Sequence, residues 1–397
     1  MARGERWRIA LVDGRPVPVE GPLEVQAAET QLEAFYDYPF LYHSPLEPMN
    51  CTASYRDGKI EIWAPTQLPG SAMGDVAAAI GVTPADITLH QMRIGGGFGR
   101  RLFNDFVCES AAISKQAGIP IKLVYTREED TTHGLYRPAG YHRLKGGLDA
   151  DGKLTAWADH FVTFTDPAGA PVFAGDMPAT EFPMPVLENA KIVQSMQMMT
   201  TRSAAFRAPS SNGIAYATQS FFHELSTAAG RDHKEFLLEL LGEPRDLRPE
   251  GAPAFGPAFN SGRMANVINA VCDKAEWGRE MPAGSALGLA FYYSHQGHLA
   301  SIVEVSVDEN KRISVPRAWV AADVGPIVNL SAAESQCQGA VIDGIGIAAS
   351  LAITLDHGVI EQTNYHQYPL IRLPSAPEVD VTFLDTDYSL SAYCLAI

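Results

Sequence analysis

No apolar run in the chain reaches the roughly 18 residues that a membrane-spanning helix needs. Basic residues are scarce: 30 Lys and Arg stand against 46 Asp and Glu, a net charge of −16. Nucleic acid is bound by releasing counterions from phosphates with Lys and Arg, and this chain has no such excess. The five cysteines (Cys51, Cys108, Cys272, Cys337, Cys394) are widely spaced and form no C-x-x-C pair. That argues against a disulfide framework, a zinc knuckle or an iron–sulfur site built from this chain. The opening stretch MARGERWRIALVDGRPVPVE is basic but lacks the apolar centre of a signal peptide, so a cytoplasmic location is expected.

What the chain does have is a 46% hydrophobic share and 397 residues, enough for sizeable cores in two or three domains. KIEIWAPTQ alternates like a half-buried strand, and GSAMGDVAAAIGV reads as a helix ended by Gly81. ITLHQMRI is the next strand, followed by GGGFGRR and then a helix through DFVCESAAISKQAG, capped by Asn104 and closed by Gly118. IKLVYTR is a strand again. GGLDADGKLTAWADHFVTF predicts a hairpin turning at Asp151-Gly152, and VEVSVDENKRISVPRAWVAADVG echoes it. Between the two echoes, YATQSFFHELSTAAG and KEFLLELLG read as helices, the second with Asp232 and Glu235 placed as a capping box. The Pro- and Gly-rich stretch 243–262 is the natural linker.

The stretch RIGGGFGRR (93–101) invites several readings. A phosphate loop requires Lys-Ser or Lys-Thr after its last glycine, and neither follows. A dinucleotide fingerprint fits better at Gly344, Gly346 and Ala349 in GIGIAAS, but the small residues around it suit a closely packed helix. DADG lacks the rest of a calcium loop. Two readings of GGGFGRR stay open on these residues alone. One is a tight turn with solvated arginines; the other is a loop whose backbone N–H groups approach a ligand with no Cβ in the way.

PFLYHSPLEPMNCTA, PTQ, IGGGFGRR, FRAPSSNGIAYATQSFFHEL and ESQCQGAVIDGIG, in that order, resemble the large subunit of the xanthine dehydrogenase/aldehyde oxidase family of molybdenum hydroxylases, the isoquinoline 1-oxidoreductase β-subunit type above all. The likeness runs from about residue 31 to 390. Gln67 precedes Phe98 by 31 residues, the separation that the family shows. The resemblance implies an α+β fold: molybdopterin-binding domains of the aldehyde oxidase/xanthine dehydrogenase type, with mixed sheets flanked by helices. It implies an N-terminal extension at 1–30, a first such domain at 31–245, a linker at 246–261 and a second, truncated domain at 262–397.

By the same resemblance, Gln67 would hydrogen-bond an oxygen ligand of molybdenum. Gly96, Gly97, Phe98 and Gly99 would bring main-chain N–H groups to the metal's other oxygen. Arg207 would lie beside the metal, with Ala208, Pro209 and Leu102 at the substrate pocket. Gln336 and Gln338 would contact the pterin or its dinucleotide tail, expected to be the cytosine form. The metal would be held by the pterin, with no direct protein ligand. His43 is expected to make structural hydrogen bonds. The implied activity is hydroxylation of an aldehyde or N-heterocycle, with electrons passed to an iron–sulfur small subunit.

The chain also departs from that pattern. The family's catalytic glutamate, in a G-x-G-E-x-x-x-P stretch, has no counterpart before the chain ends in TDYSLSAYCLAI. Nor is there a G-Q-G loop to grip the cofactor from the other side; SHQGHLA is the nearest approach. No arginine occurs between Arg143 and Arg202, which argues against a purine substrate. These departures imply that a separate chain supplies the missing half of the cofactor site, or else that this is an inactive or truncated cofactor-binding or assembly chain. Because relatives of this kind are exported as folded complexes, a periplasmic place within such a complex is compatible with the sequence.

Overall fold

The computed structural model describes residues 28–178, 180–248, 258–386 and 388, and the backbone of 11–12 and 15–16. The expected N-terminal extension, the middle of the linker (249–257) and the SLSAYCLAI end lie wholly or mostly outside these residues. Alternation in TQLEAFYDY makes β1 (Thr30–Tyr38), whose inward residues become buried toward its end. There follows an inserted unit of β2 (Asn50–Arg56), β3 (Lys59–Ala64), α1 (Pro69–Ile80), β4 (Ile87–Gln91), α2 (Asp105–Ala117) and β5 (Ile121–Val124). Its sheet runs β4-β3-β2-β5, with β3 and β4 parallel, as a strand–helix–strand crossover requires. Met49, Ile62, Val76 and Phe106 close its own small core.

Both helices of this unit end where the sequence says. Gly81 and Gly118 sit in the left-handed conformation (φ +67° and +70°), which costs glycine nothing. Asn104 stands at the start of α2 but does not cap it: its side chain accepts from Thr66 Oγ1 at 2.7 Å and donates to Asp75 at 2.8 Å. Two tertiary partners, the buried Thr66 and the exposed Asp75 on α1, take the place of the local one.

The short helix α3 (Arg127–Thr132) leads to β6 (Gly140–Leu148), β7 (Leu154–Thr165) and β8 (Asn189–Met198). With β1 they form a sheet in the order β1-β6-β7-β8, antiparallel except for β7 with β8. Three helices follow, α4 (Ser211–Ala228), α5 (His233–Leu241), capped by the Asp232 carboxylate on the Glu235 N–H at 3.1 Å, and α6 (Ser261–Ala275). The chain then makes β9 (Ser285–Ser294), β10 (Gly297–Val307), β11 (Ile313–Asp323), α7 (Leu330–Ala349) and β12 (Glu378–Phe383). Their sheet runs β9-β10-β11-β12, again antiparallel except for its last pair.

One apolar core joins the two large sheets through the helices: Leu144 and Trp157 from the first, Phe221, Phe222 and Val267 from α4 and α6, Ile302 and Trp319 from the second. At roughly 1.5–3 kcal/mol for each fully buried large side chain, this core is the main source of the fold's stability. The linker's described ends are tied to each other, with the Leu247 N–H donating to Phe259 O at 2.7 Å.

The two echoing stretches are hairpins, but the turn differs from the expected two-residue form. Residues 149–153 form a five-residue connection in which Asp149 Oδ1 accepts the N–H groups of Asp151 and Lys153. Asp308 does the same for Asn310 and Arg312. The side chain that builds each turn is thus the first aspartate of the stretch. SHQG is a two-residue turn between β9 and β10, with positive φ at His295 and Gln296.

Candidate cofactor site

The glycine stretch leaves β4 and crosses irregularly to α2. Positive φ at Gly96 (+98°), Phe98 (+52°) and Gly99 (+102°) winds it tightly. At Gly99 any Cβ would collide with the Ala205 carbonyl, so the loop and residues 205–207 pack backbone against backbone. The Arg207 N–H donates to Phe98 O at 2.9 Å, and the buried His43 bonds Ala205 O through Nε2 at 2.6 Å. Burial pulls His43 down to about 4, so it is neutral at physiological pH and its Nε2–H is the donor.

Gln67 enters from the loop between β3 and α1, its N–H on Arg101 O at 2.9 Å. Its amide lies against Gly97, where a Cβ would come within 2.6 Å of Oε1. That oxygen is buried with no partner among the described residues. Among these residues, too, the N–H groups of Gly97, Phe98 and Gly99 make no hydrogen bond. Unused donors and an orphaned amide oxygen thus meet at one spot, beside a Phe98 ring that is 42% exposed. Native proteins rarely leave buried polar atoms unpaired without a ligand or water to meet them.

The paired arginines are not solvated. Arg100 holds Asp105 through two bonds, 2.7 and 2.9 Å. Arg101, fully buried, donates to Gly96 O (2.9 Å), Pro65 O (3.2 Å) and Glu47 O (2.9 Å), and pairs with the Glu47 carboxylate at 3.0 Å. A guanidinium offers five donors in a rigid fork, and Arg101 spends its own on pinning the loop. The plain-turn reading of GGGFGRR therefore fails at its arginines.

Beyond Phe98, FRAPSS runs into α4 through two strained residues, Ala208 (φ +52°) and Ser210 (φ +61°). Asn212 holds Arg207 O at 2.7 Å and is itself held by the buried Arg137 at 2.9 Å. The Arg207 side chain reaches α7, donating to Gln336 O at 2.6 Å and lying 3.8 Å from the Asp343 carboxylate. Gly339 leaves room for it: a Cβ there would touch both terminal nitrogens at 3.5 Å. Burial pushes the Asp343 carboxyl up, against the pull of Arg207 and Arg137.

Of the residues singled out in the sequence, Gln67, Gly96, Gly97, Phe98, Gly99, Arg207 and Gln336 come together. Gln338 does not join them. Two residues along a helix turn about 200°, so it is exposed on another side of α7. Ala208 is fully buried against Tyr38 and Tyr292, while Pro209 borders a cavity of about 390 Å³ with Phe173 and Asp176. Leu102 sits half-buried in the turn behind the loop, its N–H on Gly99 O at 3.2 Å. Gly344, Gly346 and Ala349 lie inside the unbroken α7, which removes the dinucleotide-turn reading. Sequence reasoning missed Glu47, Arg101, Arg137 and Asp343, which meet side-chain partners 54 or more residues away in the chain.

A family model described as a molybdopterin cofactor-binding domain matches residues 21–239, and a second of the same description matches 265–377. The β-subunit of isoquinoline 1-oxidoreductase from Brevundimonas diminuta is 25% identical over 411 residues, covering 98% of this chain and 48% of that protein. A nicotinate dehydrogenase subunit from Pseudomonas putida is 23% identical, covering 90% of this chain and 31% of its own. The chain thus spans about half the length, or less, of these relatives. Quinoline 2-oxidoreductase from Pseudomonas putida shares the fold with a TM-score of 0.77 at 12% identity, over 91% of this chain and 70% of that one. Among the described residues, no helix is long and apolar enough to cross a membrane. The chain belongs to the molybdopterin cofactor-binding family, in the large-subunit type of the molybdenum hydroxylases.

Proposed function

We propose that this chain holds the molybdopterin of an oxidoreductase that hydroxylates an aldehyde or an N-heterocycle. The observation that carries the reading is the meeting of the orphaned Gln67 amide with the unused N–H groups of Gly97, Phe98 and Gly99. When bound, the cofactor supplies a two-electron redox centre. The chain's own residues supply fixed, neutral donors around it, which stabilise growing negative charge without reorganisation. Arg101 and His43 keep that cradle rigid from behind, and Arg207 adds a positive group fixed by Gln336 and Asp343. Gln336, beside Arg207, would meet the pterin or its cytosine dinucleotide tail, whereas Gln338 faces away from that cradle.

Residues 31–245 and 262–397 would be the two domains that flank the cofactor, joined through 246–261. An iron–sulfur subunit would receive the electrons, and a further chain or segment would cover the open side of the loop, where Met92, Ile94 and Phe98 are exposed. The complex would be cytoplasmic or exported whole to the periplasm.

Molybdenum and pterin analysis of the purified protein, with a dye-reduction assay on an aldehyde and an N-heterocycle, tests this. Replacing Gln67 by Ala is expected to lower kcat by about 10²–10³-fold, as loss of one preorganised hydrogen-bonding group does. Pterin without turnover would favour the inactive cofactor-binding or assembly chain. Protein with neither would overturn the assignment.

A further inference from the structure

Strained conformations such as those of Ala208 and Ser210 persist only where their surroundings over-determine them. The part that does so here lies beneath the turn. Arg137, 3% exposed, donates through Nη1 to Asn212 Oδ1 at 2.9 Å and through Nη2 to Pro39 O at 2.6 Å. Its guanidinium lies over the Tyr38 ring, 4.6 Å from the centroid. That ring is wedged in turn between β6 and α4, since a Cβ at either Gly140 or Gly213 would collide with it. Asn212, held in this way, spans the strained turn with both its donors. Its side-chain amide donates to Arg207 O at 2.7 Å, and its main-chain N–H to Ala208 O at 3.1 Å.

We propose that Arg137 is a positioning residue for the cradle: acting through Asn212, it fixes the turn 207–210 so that the Arg207 N–H stays on Phe98 O. That this turn serves a cofactor rests on the function proposed above; that Arg137 and Asn212 hold it does not. Among the described residues Arg137 forms no ion pair with a carboxylate, and Asp343 attracts it only from farther away. Burial pulls the guanidinium down to about 10, which leaves it charged at neutral pH. A buried cation without a carboxylate partner costs stability, so the core gains nothing from this charge. What a planar fork does, and an apolar side chain or a lysine ammonium does not, is hold two acceptors in fixed directions from one centre. Here the two acceptors belong to different elements: Pro39 directly follows β1, and Asn212 stands in the first turn of α4. The fork thus ties the start of α4 to the first sheet at the point where the strained turn begins.

Hydrogen exchange of the whole protein, resolved to single amides, tests this in Asn212→Asp and Arg137→Lys. Asn212→Asp still accepts from Arg137, now as an ion pair, but has no N–H to give to Arg207 O. Exchange at the Arg207 amide is expected to rise by about tenfold or more, while the core amides of Leu144 and Trp157 change by less than about threefold. Arg137→Lys, whose ammonium cannot hold both acceptors, is expected to show the same local signature; should it not fold, Asn212→Asp alone decides. A merely structural role would speed all of these amides together. In protein that carries pterin, the variants are expected to release it about tenfold faster than the wild type, since dissociation carries most losses of affinity. Unchanged exchange at Arg207 in either folded variant, acceleration shared equally with the core, or pterin released at the wild-type rate overturns the proposal. The exchange readout needs no cofactor, so failure here is separate from failure of the molybdopterin assignment, which the pterin content of the wild type reports.

Discussion

The two large sheets have the same order, the same strand senses and the same aspartate-built hairpin turn, yet they differ in what joins their strands. In the second sheet, β9 passes to β10 through the two residues His295 and Gln296. In the first, the corresponding gap between β1 and β6 holds the whole inserted unit, with Gln67 and the glycine loop. The third-to-fourth connections differ as well. After β7 the chain contributes Glu181, and after β11 it contributes α7, with Gln336 and Asp343. The repeated part is scaffold, and Gln67, the glycine loop and Gln336, proposed above to face the cofactor, sit in the unequal connections, as functional residues do wherever loops are carried on a rigid frame.

The largest effect that would test this equivalence lies in the hydrogen-bonded side-chain pairs buried at each sheet. In the second, Arg263 on α6 grips Asp323 with two bonds of 2.7 Å. Burial pushes the Asp323 carboxyl up, but Arg263 and Thr386 together outweigh it and leave the group below its ordinary value. Arg263→Met strands that carboxylate and is expected to cost about 3–5 kcal/mol. In the first sheet, Asp159 meets His142 at 2.7 Å, and an asparagine can still accept the imidazole N–H. Asp159→Asn should therefore cost only about 1–2 kcal/mol. Urea midpoints at constant m decide it; equal losses would show that the two sheets lean on their buried pairs alike.

A smaller difference is read by pH. Burial lowers His43 and His233 to about 4 and His298 to about 3. Their contribution to stability is present above the unfolded value of about 6.5 and is lost as pH falls through the folded values. Glu181 has the opposite sign: with its folded value raised to about 7, its contribution is present below about 4.5 and lost as pH rises through 7. Between pH 7 and 5 the two trends oppose each other. Stability should decline toward acid by roughly 1–3 kcal/mol in the wild type, and more steeply in Glu181→Leu. A shallower decline in that variant would mean that the carboxyl is not raised.

What could be read from the sequence follows the range of the forces involved. The ends of α1 and α2, the course of α7 and the paired hairpins depend on neighbours a few residues away, and the residues announced them. Glycine at 81 and 118 is a local statement about φ. Asn104 looked like a cap because nothing local shows that Asp75 and Thr66 compete for it. Arg101 looked solvated because its carboxylate partner, Glu47, lies 54 residues upstream. The bond between Glu181 and Tyr292 was invisible for the same reason, since the two meet across 111 residues. For the cradle the family resemblance supplied residues that periodicity could not, and the geometry then brought Gln336, but not Gln338, to Arg207.

The smallest effect sharpens the comparison most, because it exchanges single residues between the two hairpin turns. Gly152 and Lys311 occupy the same place: each N–H donates back to the carbonyl of the aspartate that builds the turn, at 3.0 and 2.9 Å. Both are left-handed, Gly152 at φ +73° and Lys311 at φ +61°. A side chain there costs about 1–2 kcal/mol against the following carbonyl. Glycine avoids that cost but loses about 0.5–1 kcal/mol in backbone freedom on folding. Lys311→Gly should therefore stabilise the protein by about 0.5–1 kcal/mol, the difference between the two terms. Gly152→Lys should do worse than the mirror image of this. Its Cβ would also come within 3.0 Å of the Ala229 Cβ, beyond the end of α4, so a loss of about 1–2 kcal/mol is expected. Urea denaturation of the two variants measures both. If Lys311→Gly destabilises, the lysine is held by contacts that the first turn lacks, and the two hairpins are alike in geometry but not in energy.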